Sequence, residues 1–151
     1  MTPNNEHPMR LQPIKQNGLV GYADAGGTIV IPCQWRDGRG FHSGRAWVRD
    51  AGGKYGFIDE SGELVIPCTW RRVYSFSEDL AAVQDAKGLW GYIDTSGRVV
   101  IPCQWRSARS FTGGQAAVEV SSGFFRHIDR QGNLAPLSLF RRLLHRLFSP
   151  S

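Results

Sequence analysis

The sequence predicts an all-β fold: an array of about three and a half copies of a 35-residue, three-stranded β-meander, followed by one C-terminal amphipathic helix. Three observations predict it. Asp24, Asp59, Asp94 and Asp129 recur every 35 residues, as do Gly27, Gly62, Gly97 and Gly132, with no insertion or deletion between them. Within each period, short runs of β-branched and aromatic residues alternate with turns that carry Asp and Gly. Apolar residues at helical spacing are confined to the last fifteen residues.

The third copy shows the elements in order. Leu80-Ala81-Ala82-Val83-Gln84 reads as a short strand, Asp85-Ala86-Lys87-Gly88 as a turn, and Trp90-Gly91-Tyr92-Ile93 as a second strand. Asp94-Thr95-Ser96-Gly97 follows, with Asp at the first and Gly at the fourth position of a type I turn. Val99-Val100-Ile101 opens a third strand, whose regular pairing Pro102 is expected to end, since proline has no N–H to donate to a ladder. The segment Ile-Pro-Cys-X-Trp-Arg stands at Ile31 to Arg36, Ile66 to Arg71 and Ile101 to Arg106, each followed by Phe41, Phe76 or Phe111. Residues 59–76 and 94–111 share eleven identities in eighteen positions. One such meander is too small to bury its own core, so neighbouring copies must complete it, by open stacking or by closure into a small propeller-like ring.

This divides the chain into an N-terminal extension with a partial first strand (1–17), the β-repeat domain (18–135), the amphipathic helix (136–149) and the end (150–151). No run approaches the roughly 18 to 20 apolar residues of a transmembrane helix. The start lacks a basic segment followed by an apolar one, so a cytoplasmic protein with reduced cysteines is expected. The net charge of +5 is uneven: residues 1–94 balance ten Lys/Arg against eleven Asp/Glu, whereas residues 95–151 set eight Arg against Glu119 and Asp129. Basic character is therefore local to one end, which weakens a general polyanion-binding reading.

Strand alternation puts Ile101, Cys103 and Trp105 on one face, and likewise Ile31, Cys33, Trp35 and Ile66, Cys68, Trp70. These, with Trp90, are the predicted core. The cysteines are spaced by a whole period rather than by two to four residues, and no histidine repeats beside them, so no metal site and no cofactor are expected. The four aspartates fit turn capping better than a carboxylate pair. His42 and His127 occupy different places in the repeat, and no nucleophile, phosphate-loop or zinc-protease motif occurs, so an enzyme is the least favoured class.

Two features point outward. Arg36, Arg71 and Arg106 follow the repeated tryptophan, and Arg39, Tyr74 and Arg109 lie three residues further on. Stacked copies would align these six into a basic and aromatic edge suited to an acidic protein surface, a phosphate backbone or a glycan. The plainer alternative pairs each arginine with an acid such as Asp37, Glu78 or Asp79. In the tail, Leu137, Phe140, Leu144, Leu147 and Phe148 share a helical face, with Arg141, Arg142, His145 and Arg146 on the rest. Such a helix can cap the last copy or, through residues such as Phe140, Arg141, Arg142, Leu144, Arg146 and Phe148, contact a partner protein or an anionic membrane.

Trp90-Gly91-Tyr92-Ile93-Asp94, with Gly97, Val100-Ile101-Pro102 and Phe111, resembles the WG-repeat family of bacterial proteins over about residues 18–135. The resemblance implies an all-β array that serves as a binding or scaffolding surface without a catalytic constellation. The copies depart from the pattern at the aromatic position, which holds Val20, Tyr55 and Trp90 in turn, while Phe125-Arg126 replaces the dipeptide in the fourth copy. Glycine at 21, 56 and 91 is expected to admit a ring or the backbone of the next copy, which Arg126 cannot, so the stack should stop there. The expected function is a cytoplasmic protein-interaction module using the Arg/aromatic edge. Peripheral attachment to anionic membrane or nucleic acid through the basic C-terminal half is the alternative.

Overall fold

The structure, a computed structural model, describes residues 10–136. Fourteen strands follow one another: β1 (Gln12–Gln16), β2 (Leu19–Ala23), β3 (Ile29–Trp35), β4 (Asp37–Gly38), β5 (Ala46–Arg49), β6 (Tyr55–Ile58) and β7 (Leu64–Trp70), then β8 (Arg72–Val73), β9 (Ala81–Gln84), β10 (Trp90–Ile93), β11 (Val99–Trp105), β12 (Ser107–Ala108), β13 (Ala116–Ser121) and β14 (Phe124–Ile128). They form four antiparallel sheets in chain order: β1-β2-β3, β4-β5-β6-β7, β8-β9-β10-β11 and β12-β13-β14. The predicted C-terminal helix, with Phe140, Arg141, Arg142, Leu144, Arg146 and Phe148, lies outside the described residues.

The sheets differ from the expected three-stranded unit. The two central ones carry a fourth strand of only two residues, β4 or β8, placed directly after the repeated Trp-Arg. At the N-terminus, β1 is a full strand rather than a partial one. It pairs with β2 from Gln12↔Ala23 to Gln16↔Leu19 around Asn17-Gly18, both at positive φ (53° and 80°), as a tight hairpin requires.

Regular pairing breaks at Pro102 as expected, but the third strand itself runs on to Trp105. Tyr92 pairs with Ile101 and Trp90 with Trp105, so two steps along β10 oppose four along β11, and Pro102-Cys103 is absorbed in a bulge. The same shift occurs opposite Gly21 and Gly56. A Cβ on Gly91 would meet the Ile101 carbonyl oxygen at 2.5 Å and the Cys103 nitrogen at 2.7 Å. The glycine thus admits the bulge of its own sheet, not the next copy as the sequence suggested.

The bulge also breaks the expected face. Ile101 and Trp105 pack in the cluster between the third and fourth sheets, whereas Cys103 packs against the cluster between the second and third. Its Sγ points across Gly91 to the Val83 carbonyl, 3.9 Å away, just as the Cys33 Sγ points to the Ile14 carbonyl at 3.8 Å. Cys68 is likewise parted from Ile66 and Trp70. All three thiols are half-buried.

Three hydrophobic clusters join the sheets pairwise: first with second, second with third, third with fourth. Among the described residues no such cluster joins the first sheet to the fourth. Both faces of β9 and β10 are covered, since the third sheet has neighbours on both sides. By contrast β14 exposes Phe124 and Phe125, and the Arg126 guanidinium, at the place held elsewhere by glycine, donates to the Ala135 carbonyl at 2.8 Å.

The contact across each boundary repeats. Edge-to-face ring pairs join Tyr22 to Phe41 (5.1 Å), Phe57 to Phe76 (4.8 Å) and Tyr92 to Phe111 (4.8 Å). The Tyr22 and Tyr92 hydroxyls donate to the Arg39 and Arg109 carbonyls at 2.6 and 2.7 Å, and burial raises both phenols above their ordinary pKa. At the turns, the carboxylates of Asp24, Asp59, Asp94 and Asp129 each accept two backbone N–H groups at 2.9–3.0 Å. The turn glycines take positive φ, and Gly62, Gly97 and Gly132 sit against Ile31, Ile66 and Ile101 of the preceding copy.

Candidate functional site

Along β5, Ala46 and Val48 point into the core, so alternation turns Trp47 and Arg49 to the opposite face. Tyr55 follows on β6, with its ring 5.3 Å from that of Trp47. On the facing sheet, Arg71 occupies the corner before β8, and its backbone N–H is held by the Gln84 carbonyl at 2.9 Å. Tyr74, tied by its N–H to the Ala82 carbonyl, stacks on Trp90 at 5.1 Å and an interplanar angle of 15°. Between these two walls lies an open groove of about 540 Å³, floored by Val73 and edged by Asp37, Arg39, Arg49, Arg71 and Arg72.

Guanidinium groups and rings interleave in it. Arg39 lies over the Trp47 ring at 5.4 Å and Arg49 over Tyr55 at 5.8 Å. Four arginines face one carboxylate, and that carboxylate, Asp37, is only loosely paired with Arg39 at 3.8 Å, both side chains being largely exposed. Glu78 is engaged elsewhere: its carboxylate accepts the Gly114 N–H at 3.1 Å, and its carbonyl accepts Arg130 at 2.7 Å. Among the described residues, pairing each edge arginine with a nearby acid therefore holds for Arg39 alone.

The six residues expected to form the edge do not share one surface. Arg39, Arg71 and Tyr74 line the groove between the second and third sheets. Arg109 meets Tyr74 in a smaller hollow of about 330 Å³ at the next boundary, where it lies over Phe125 at 5.7 Å. Arg36 and Arg106 are exposed corner residues that line neither. The groove also contains Tyr55, read in the sequence only as the repeat's variable aromatic, and Trp47, Arg49 and Arg72, which repeat-based reasoning passed over because they do not repeat. Trp47 stands where the later copies have Ala82 and Ala117, Arg49 where they have Gln84 and Glu119, and Arg72 where the others have Asp37 and Ser107.

Among the core residues, Trp90 and Trp105 are buried, while Trp35 and Trp70 are half-buried. Burial pushes the Cys68 and Cys103 thiols up to about 11, with Asp50 and Asp85 adding in the same direction. That disfavours the thiolate which nucleophilic or metal chemistry would need. Among the described residues no group of three or more His, Cys, Asp or Glu is placed to hold a metal ion, and no helix is long and apolar enough to cross a membrane.

No curated protein matches the chain. The family model for the WG-containing repeat matches three times in succession, over residues 21–55, 55–87 and 90–122. With the glycine and its opposing bulge present in each of those copies, the chain belongs to the WG-containing repeat family.

Proposed function

We propose that the chain is a non-catalytic protein-interaction module that docks a partner protein in the groove between its second and third sheets. One observation carries this: four guanidinium groups, two of them lying over aromatic rings, line an open groove with a single carboxylate among them. Arginine, tryptophan and tyrosine are the side chains that dominate binding energy at protein interfaces, because they combine area with directional polar groups. The raised thiol pKa values of Cys68 and Cys103 support a packing role for those two cysteines.

The test is a capture experiment from nuclease-treated lysate. The full chain is compared with Arg71→Ala/Tyr74→Ala and with a chain ending at Pro136, each checked for folding by circular dichroism. The expected result is a defined protein partner that survives moderate salt, is retained by the folded shorter chain and is lost from the double variant. A partner indifferent to the double substitution but lost with residues 137–151 would overturn the reading and transfer function to the tail.

A further inference from the structure

We infer that the groove takes an acidic linear segment of its partner, with Asp or Glu carboxylates set against Arg49, Arg71 and Arg72 and an apolar side chain resting on Tyr74. This rests on the reading of the groove as a protein-docking site and specifies what docks. Arg39 has Asp37 within 3.8 Å, but no acid pairs with Arg49, Arg71 or Arg72 among the described residues. A guanidinium held flat on a ring keeps its N–H fork free at the edge, where a carboxylate is bound by two parallel hydrogen bonds. Arg49 lies over Tyr55 with its Nε donating to the Gly53 carbonyl at 3.4 Å, which leaves its two terminal nitrogens for a carboxylate. Tyr74 supplies the apolar contact, since one face stacks on Trp90 while the residue remains 48% exposed.

Other occupants fit less well. The chain's own segment 137–151 carries Arg141, Arg142 and Arg146 with no acid, so its charge opposes that of the groove. Single-stranded nucleic acid binds by stacking bases on open ring faces. Here Arg39 covers a face of Trp47, Arg49 covers a face of Tyr55, and Trp90 is buried against one face of Tyr74, so ring faces that bases would need are already taken.

Random dodecapeptides displayed on phage and selected on the full chain test this directly. The expected peptides are enriched in Asp and Glu around an aliphatic or aromatic residue. Synthetic copies should lose affinity at least about tenfold on Arg49→Gln/Arg71→Gln, weaken as salt rises, and bind Arg98→Gln unchanged. Neutral or basic peptides that are lost on Tyr74→Ala would overturn the acidic assignment while leaving groove docking intact. Peptides insensitive to both groove variants, or no selected peptides at all, would overturn both. Oligothymidylate of fifteen nucleotides that binds more tightly than the peptides and competes with them would assign the groove to nucleic acid instead.

Discussion

The boundary between the second and third sheets and the one between the third and fourth share an interior pattern and differ at their rims. Inside, Phe57 meets Phe76 and Tyr92 meets Phe111 at the same 4.8 Å, and the turn glycines 97 and 132 sit on Ile66 and Ile101 in turn. Outside, Trp47, Arg49, Arg72 and Tyr74 give way to Ala82, Gln84, Ser107 and Arg109, and the groove of about 540 Å³ gives way to a hollow of about 330 Å³. Residues that set the spacing repeat, whereas residues that give a boundary its chemistry differ. In a repeat array the informative positions for binding are those at which the copies disagree.

The largest expected effect probes the shared interior. Phe76→Ala and Phe111→Ala each remove a buried ring from one boundary and should each cost about 3–5 kcal/mol in urea unfolding. Losses differing by more than about 2 kcal/mol would show that the interiors are not equivalent. Next, Gly91→Ala drives a methyl into the Ile101 carbonyl and should cost about 3 kcal/mol. Gly113→Ala, at a positive φ of 61° in open space, should cost about 1 kcal/mol. Equal losses would mean that the bulge yields easily.

A smaller effect separates the two boundaries. Tyr92→Phe leaves the Arg109 carbonyl without its hydroxyl donor and should cost about 1 kcal/mol, whereas the earlier boundary already manages with Phe57. Thermal unfolding of that variant measures what the hydroxyl adds. The smallest effect is on pH dependence. Side-chain hydrogen bonds from Ser61 and Ser96, helped by backbone N–H groups, hold the Asp59 and Asp94 carboxyls below their ordinary value of 3.8. Their contribution is therefore fully present above about pH 4 and is lost as the pH falls through the lowered folded values. Asp59→Asn/Asp94→Asn should flatten the decline of stability below pH 4, and an unchanged slope would assign acid sensitivity to other groups.

The period, the turns and the main strands were legible because each is written in residue types with strong local preferences: Asp at the head of a turn, Gly at its end, β-branched runs between. The bulge was not, since simple alternation gave Cys103 the same face as Ile101 and Trp105, and only the pairing register reveals the two extra residues. The two-residue strands β4, β8 and β12 are too short to show any periodicity. Half of the predicted edge entered the groove. Arg36 and Arg106 were left at exposed corners because sharing a repeat position with Arg71 does not supply the neighbours that Arg71 has on the facing sheet.

Gly62, Gly97 and Gly132 each rest on an isoleucine of the copy before, so the second and third copies each carry both a glycine that receives their predecessor and an isoleucine that fits their successor. An added copy of 35 residues would therefore need no new kind of contact, and would bring with it one more boundary whose rim side chains are free to differ. The array is in this sense a ruler: its copy number sets how many boundary rims are displayed and how far apart they lie, independently of the side chains on each.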